Sequence, residues 1–361
     1  MIMKKTLFLL LLFTFALRTP SFAQESESES AERNNDKLHI RLDTRFDLKY
    51  MTDAEQEVFQ FEAQALKLCL EGEITPGIRY KLVHRLNVSQ EIASDGLSKA
   101  TDQMWLAFDL GKRRNWTLTV GKQPVQLAAF EYEYNPADNY LSTRANATFD
   151  CYQIGANIAY NFLGQTLNLQ VFNSGRPQFA ESRYENKALA GSLSWAGSFL
   201  EGALNTRLGY MALQHSSSKL YSWVTTGLQV NAGAFTSEMD YYIGTYNVLY
   251  DEISPDLGRR EARDQSASVN LRYRVGKWCP IVKGVWDLRR DNQFDANILQ
   301  SFGVQAAVEF YPFIGRKYLS DMRLHLVYNY VTTDYMGPFQ STPRMDRHTI
   351  LCGIRWLFTA K

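Results

Sequence analysis

The 361-residue sequence is poor in the residues and motifs that catalysis and metal binding require. It contains no GxSxG nucleophile elbow, no HExxH zinc helix and no Walker phosphate loop. The five histidines are scattered at His39, His84, His215, His325 and His348. The sequence therefore indicates no catalytic residues and no enzyme.

Cysteine is also scarce, with single residues at Cys69, Cys151, Cys279 and Cys352. None forms a CxxC pair or has a histidine at metal-ligand spacing, so we expect neither a metal nor a cofactor. We expect no structural disulfide, because Cys69 and Cys352 fall in predicted strands that are not neighbours.

The chain lacks both an excess of charge and a second long apolar run. It has 39 basic and 38 acidic residues, which disfavours a nucleic-acid partner. The apolar run at residues 6–17 is too short to span a bilayer as a helix, no other segment approaches one, and the mean hydropathy is -0.30. The mature protein is therefore either soluble or a closed β-barrel.

The N-terminus has the features of an export signal. Lys4 and Lys5 precede the apolar run, and Ser21-Phe22-Ala23 supplies small residues at a cleavage site. Residues 1–23 are predicted to be a cleaved signal peptide, and residues 24–36, with alternating Glu and Ser, a disordered acidic periplasmic lead-in. The remaining residues, 37–361, are predicted to form one transmembrane barrel.

A strict alternation of apolar and charged residues begins at Leu38 and runs to Tyr50. Such a stretch suits a tilted strand that crosses a bilayer, which needs about nine to eleven residues. A Lys or Arg on the lipid face would cost about 2 to 4 kcal/mol at the midplane, so the charged face is predicted to line the lumen.

Similar period-two stretches recur to the end of the chain, and we count sixteen of them. In residues 59–70 the apolar residues change face partway, which predicts a β-bulge. Connections after even-numbered strands are mostly short, as at residues 233–234. Those after odd-numbered strands are mostly long, as at residues 89–103, 246–266 and 332–349. The predicted fold is all-β, a transmembrane antiparallel β-barrel of about 16 strands with short periplasmic turns and long extracellular loops, integral to a bacterial outer membrane.

The polar face of the strands is rich in cations. The predicted pore-lining, anion-attracting residues are Arg41, Arg45, Lys49, Arg79, Lys81, Arg85, Arg207, Arg272, Arg274 and Arg323. Lys283 and Arg355 share that face, with Asp43, Asp47, Asp109, Asp287 and Glu309 against them. Such an excess would concentrate anions in a narrow pore. The alternative is that these charges pair across strands and only keep the lumen wet.

Residues 121–150 form the longest predicted connection in the first half of the chain. We expect this segment to fold inward as a constriction loop in which tyrosines and acids make a hydrogen-bonded eyelet; it could equally lie over the mouth of the barrel. Its candidate site residues are Lys122, Glu131, Tyr132, Glu133, Tyr134, Asp138 and Arg144.

The passage from Gly121-Lys122-Gln123 to Phe130-Glu131-Tyr132-Glu133-Tyr134-Asn135-Pro136 resembles the phosphate-selective porin O and P family, and the closing strand ending in Trp356-Leu357-Phe358 is similar to that family's C-terminal assembly signal. The resemblance implies a homotrimer of sixteen-stranded barrels that passes anions, with phosphate as the type substrate.

The sequence thus predicts a passive outer-membrane porin for small anions, surrounded by outer-membrane lipid and lipopolysaccharide. Two alternatives stay open. If Glu131, Glu133 and Asp138 set the constriction potential, the porin is general or weakly cation-preferring. If the lumen is blocked, the barrel is a scaffold or adhesin that acts through its long loops.

Overall fold

The computed structural model describes residues 37–93, 95–174, 179–184, 187–249 and 258–359. The predicted signal peptide and acidic lead-in lie outside these residues. The described chain is a closed antiparallel barrel in which each strand pairs with its neighbours in sequence and β1 pairs with β16. The predicted β-barrel and its sixteen strands are confirmed.

Eight strands make up the first half of the barrel: β1 His39–Thr52, β2 Glu57–Thr75, β3 Ile78–Arg85, β4 Thr101–Leu110, β5 Trp116–Pro124, β6 Tyr152–Phe162, β7 Gln165–Asn173 and β8 Leu189–Phe199. Eight more complete it: β9 Leu204–Gln214, β10 Leu220–Ala232, β11 Phe235–Leu249, β12 Arg259–Tyr273, β13 Trp278–Asp291, β14 Ala296–Phe310, β15 Arg323–Tyr335 and β16 Met345–Thr359.

Helical structure among the described residues is short. It consists of α1 Phe130–Glu133, α2 Arg144–Thr148 and the 3₁₀ turns Pro136–Asp138, Ser182–Tyr184, Leu200–Gly202 and Gly337–Phe339. No helix in the described part of the chain is long and apolar enough to cross a membrane.

The two faces of the sheet differ because side chains alternate along each strand. On β10, Leu220, Val224 and Leu228 are exposed, whereas Tyr221 and Trp223 are buried. The exposed set is repeated around the barrel, as in Val304 at 53% and Leu326 at 53%. These side chains form the outer apolar band that faces lipid.

The predicted bulge in β2 is confirmed. Phe46 pairs with Ala63 and Arg45 with Ala65, so Gln64 has no opposite residue. Because one residue is skipped, the alternation changes phase, and Leu66 and Leu68 share the outer face with Phe59 and Phe61.

Two predicted loops are largely strand. Of residues 246–266 only 250–258 lie outside β11 and β12, and of residues 332–349 only 336–344 lie outside β15 and β16. These strand ends rise beyond the apolar band, where both faces carry polar residues. The hydrophobic alternation that identifies a strand in a sequence is therefore lost there.

The alternation of short and long connections holds for most of the barrel. On the long-loop side, residues 53–56 and 292–295 are nevertheless short, and on the short-turn side residues 311–322 form a longer connection. Aromatic pairs such as Trp278 and Phe310, with ring centroids 4.4 Å apart, border the short-turn end as an interfacial girdle.

The outer band yields a test of membrane orientation. We expect Val304→Arg to lower the free energy of unfolding from lipid vesicles by about 2 to 4 kcal/mol, because the charge would be placed in hydrocarbon. Leu163→Arg is the control, since Leu163 lies in the turn between β6 and β7 and is 92% exposed. Equal stability of the two variants would contradict the assignment of the band.

Candidate functional site

The segment between β5 and β6, residues 125–151, lies inside the barrel and is called the lumen loop below. The sequence placed its start at Gly121, because apolar alternation stops at Val120. The ladder instead continues to Pro124, opposite Tyr152. Lys122 is therefore a residue of β5 rather than of the loop, and its Nζ lies 2.8 Å from Asp95.

The lumen loop crosses the barrel interior and contacts opposite walls. On one side Arg45 of β1 donates to the Ala137 carbonyl at 3.0 Å. On the other side the backbone N–H groups of Phe130 and Glu131 each donate to the Asp240 carboxyl of β11 at 2.8 Å. These contacts hold the loop across the lumen.

The loop folds locally around polar side chains that cap its short helices. Asn135 accepts from the Ala137 N–H at 3.0 Å at the Pro136–Asp138 turn. Thr143 Oγ1 accepts from the Asn146 N–H at 3.2 Å at the start of α2 and itself donates to Glu131 at 2.6 Å. Capping satisfies backbone groups that a loop buried away from water cannot leave unpaired.

Each of the three predicted acidic residues of the loop is paired with a cation of the wall. Glu131 lies 2.9 Å from Lys283 of β13, and Glu133 lies 2.6 Å from Arg207 of β9. Asp138 contacts both Arg323 of β15 and Arg355 of β16, the latter at 2.9 Å. The loop therefore places little uncompensated negative charge in the lumen.

Asp138 is held by two guanidinium groups of the wall. Burial works to raise its pKa, but the guanidinium groups of Arg323 and Arg355 outweigh burial and hold the pKa below the ordinary value of 3.8. The carboxylate is the charged form throughout the neutral range.

Two tyrosines of the loop donate to acids of the wall and a third donates to the loop's own backbone, so the predicted eyelet of loop tyrosines with loop acids is not formed. Tyr134 donates to Glu238 of β11, Tyr140 donates to Glu309 of β14 at 2.9 Å, and Tyr132 donates to the Cys151 carbonyl at 3.0 Å. The reason is that the loop acids are already occupied by Lys283, Arg207, Arg323 and Arg355.

Part of the inward face is apolar, which the sequence analysis did not anticipate. Met211, Tyr221, Trp223 and Tyr242 of β9–β11 pack inside the barrel with Phe149 of the lumen loop. The sequence assigned apolar strand residues to the lipid face because it could not show that a loop covers this stretch of the inner wall.

Exposure divides the predicted lumen cations into two groups. The side chains of Arg41, Arg79 and Arg85 on β1 and β3 are 23%, 34% and 38% exposed, so water reaches them inside the barrel. By contrast, Lys283 and Arg355 are 5% and 2% exposed beside the loop. The loop buries part of the lumen, Arg45 of β1 included, and leaves Arg41, Arg79 and Arg85 open to water.

Beside these hydrated arginines two carboxylates are each shared by two cations, and their side chains are 28% exposed for Glu71 and 4% exposed for Asp102. Glu71 of β2 lies 2.9 Å from Arg41 and 3.5 Å from Lys81. Asp102 of β4 lies 2.9 Å from Arg85 and 3.4 Å from Lys67. Within each of these sets, two cations lie beside one carboxylate.

The remaining predicted pore-lining residues are also inward, and most are ion-paired. Arg45 pairs with Asp47 at 2.7 Å, Lys49 with Glu62 at 3.4 Å, and Arg79 with Asp109 at 3.0 Å. Lys67 was missed because it follows the bulge in β2, which reverses the apparent polar face. Arg144 contributes its backbone N–H to Asp287 at 2.8 Å.

Arg272 and Arg274 of β12 are held by aromatic rings. Their guanidinium carbons lie 4.7 Å from the Tyr134 ring centroid and 4.3 Å from the Tyr311 ring centroid. Among the described residues neither has a carboxylate within ion-pair distance. Arg272 lines a small pocket beside the lumen loop with Asn270. Stacking on a ring retains the positive charge that an ion pair would cancel.

The loop anchor predicts a stability effect. Asp138→Asn should lower the free energy of unfolding by about 3 to 5 kcal/mol, because two buried guanidinium groups lose a charged partner. Asp334→Asn is the control, since the Asp334–Arg344 pair is long at 3.8 Å and half-exposed, and should cost about 1 kcal/mol or less. A loss no larger than that of the control would contradict the anchoring role of Asp138.

The same carboxyl predicts a pH dependence. Because the folded pKa lies below the unfolded one, its contribution to stability is present above the unfolded pKa and is lost as pH falls through the folded pKa. Loop position, followed by a fluorophore on the loop, should therefore be constant from pH 7 to about pH 5. A transition within that window that disappears in the Asp138→Asn variant would refute the depressed pKa.

Comparison with known proteins agrees with this architecture. The family model for the phosphate-selective porin O and P matches residues 37–250. A comparison with curated protein sequences finds no match.

Solved structures share the fold at low sequence identity. The outer-membrane channel DcaP of Acinetobacter baumannii aligns with a TM-score of 0.67 and 10% identity over 89% of this chain and 97% of its own. OmpT of Vibrio cholerae aligns with a TM-score of 0.59 and 14% identity over 91% and 100%. The anion-selective porin from Comamonas acidovorans aligns with a TM-score of 0.59 and 11% identity over 89% and 99%. The chain therefore belongs to the phosphate-selective porin O and P family and is an integral outer-membrane channel protein.

Proposed function

We propose that this porin is a passive channel for small anions whose path runs along the β1–β4 side of the lumen. This proposal rests mainly on two carboxylates, Glu71 and Asp102, each of which lies between two cations. A narrow wet passage with low-dielectric walls concentrates ions opposite in sign to its net charge.

The contacts of the lumen loop support this sign of selectivity. The cation-preferring alternative needs free carboxylates at the constriction, but Glu131, Glu133 and Asp138 are all neutralised by wall cations. The loop therefore acts as a neutral obstacle that sets the width of the path.

Arg272 and Arg274 supply a second region of positive charge. They lie near the short turn between β12 and β13, which places them at the periplasmic end of the lumen. Of the two nearby acids, Glu309 is ion-paired with Arg323, whereas Glu238 is hydrogen-bonded by Tyr134 and keeps its negative charge beside Arg272. We infer that anions leaving the constriction meet these arginines before the periplasm.

Phosphate is the permeant that the family description names, and it is one candidate within this class. The proposal for residues 1–23 is an export signal, and for the assembly a homotrimer. The trimer proposal is supported by the trimer form described for OmpT of Vibrio cholerae.

The decisive test is the reversal potential of the purified protein in a planar bilayer under a KCl gradient. Wild-type protein should show chloride preference. The variant Arg41→Gln with Lys81→Gln should shift toward potassium, because Glu71 is left without a cation. A unit charge at about 4 Å is worth about 1 kcal/mol in water, so the permeability ratio should change about fivefold.

The matched control replaces Lys112 and Arg113, two exposed cations of the turn between β4 and β5, by Gln. It removes the same charge outside the lumen and should leave the ratio unchanged. Glu71→Gln should act in the opposite direction and strengthen chloride preference. Potassium preference in the wild type would overturn the proposal, and absence of conductance would favour the scaffold alternative.

A further inference from the structure

Two arginines face each other on the outer surface of the barrel. Arg263 of β12 is paired in the ladder with Arg290 of β13. The adjacent pair, Asp264 and Arg289, points inward and forms an ion pair at 2.8 Å. Since faces alternate along a strand, Arg263 and Arg290 point outward. The inner pair has opposite charges and the outer pair has like charges.

Like charges directly opposite one another in a ladder are destabilising unless something compensates them. Arg290 contacts Asp295, but that carboxylate is 85% exposed in the turn at residues 292–295, where an ion pair contributes little. Within the described residues, Arg263 has no carboxylate at ion-pair distance. The outer pair is therefore short of negative charge.

A third arginine extends this basic surface. Arg259 lies four residues before Arg263 on β12, so it shares the outer face of that strand, and it is exposed. Glu261, which lies between them, is engaged by Lys219 and by the Asn292 side chain at 2.7 Å. We call Arg259, Arg263 and Arg290 the outer arginine patch.

The height of the patch matches the lipid headgroups of the outer leaflet. From the girdle residue Trp278, β13 reaches Arg290 after a vertical rise of about 30 Å, at about 3.3 Å per residue and a tilt of about 40°. The apolar band of such barrels is about 25 Å tall. The arginines therefore lie just beyond the hydrocarbon edge, on the long-loop side.

We propose that the outer arginine patch is a binding site for a phosphate group on a phosphorylated glycolipid headgroup of the outer leaflet. The guanidinium fork suits phosphate because it donates two parallel hydrogen bonds to two oxygens. A phosphate between Arg263 and Arg290 turns their repulsion into attraction to a common anion. Because the patch faces outward at the membrane surface, the anion is a lipid headgroup and not a solute in the lumen.

The test uses the full-length protein in detergent micelles, with diphosphoryl lipid A as the probe and bound lipid measured by native mass spectrometry. Replacing both Arg263 and Arg290 by Gln should weaken binding about 25-fold, at about fivefold for each basic residue near an anionic surface. The matched control, Arg344→Gln with Arg347→Gln, removes two cations of the same rim that are paired with Asp346 and Asp53. It should bind as the wild type does.

A second experiment compares two lipids on the wild-type protein, so the test remains valid even if the double variant folds poorly. Wild-type protein should prefer diphosphoryl lipid A over the same lipid without phosphates, and millimolar inorganic phosphate should not displace it. The variant Arg263→Lys with Arg290→Lys should bind more tightly than the Gln double variant, because the charge is kept, and more weakly than the wild type, because Lys lacks the fork.

Equal binding of the two lipids, or full binding by the Gln double variant, would overturn the proposal. The latter result would mean that the lipid binds elsewhere on the barrel. The outer arginine patch does not line the lumen, so the reversal potential does not depend on it. Failure of the lipid-binding proposal can therefore be distinguished from failure of the proposed anion selectivity.

Discussion

The ion pairs between the lumen loop and the barrel wall are the constraint on which the interior depends. Glu131 and Lys283 are 2% and 5% exposed, and Arg355 is 2% exposed against Asp43 and Asp138. A charge removed from water is tolerated only with a partner and hydrogen bonds. A loop that carries acids into the barrel therefore has to meet basic wall residues, and the wall has to supply them at matching heights.

This matching gives the two sides of the lumen different characters. Where the loop packs, charges cancel and aromatic residues such as Trp223 and Phe149 exclude water, with ring centroids 4.7 Å apart. Where it does not, Arg41 of β1 and Arg85 of β3 stay hydrated and share their acids with Lys81 and Lys67. The same set of basic residues thus fastens the loop on one side and sets the charge of the passage on the other.

Much of the architecture was predictable, because the alternation of lipid-facing and lumen-facing residues is local. Several features depend only on residues close together in the chain. They are the charged face of Leu38–Tyr50, the bulge in β2 and the inward position of Arg41, Arg79 and Arg323. Strand ends such as Arg259–Arg263 were missed because neither face of the strand is apolar above the membrane. Lys67 was missed because the bulge in β2 changes which residues of that strand face the lumen.

The sequence by itself determined the class of fold, the inner and outer faces of most strands and the basic character of the inner one, because lipid admits only one orientation of a charged side chain. The tertiary structure alone decided which cations are neutralised. Glu133 and Arg207, or Asp138 and Arg355, are far apart in the chain and meet only because the loop enters the barrel. It likewise brought Arg263 and Arg290 opposite each other, since strand register depends on the whole ladder and not on local pattern.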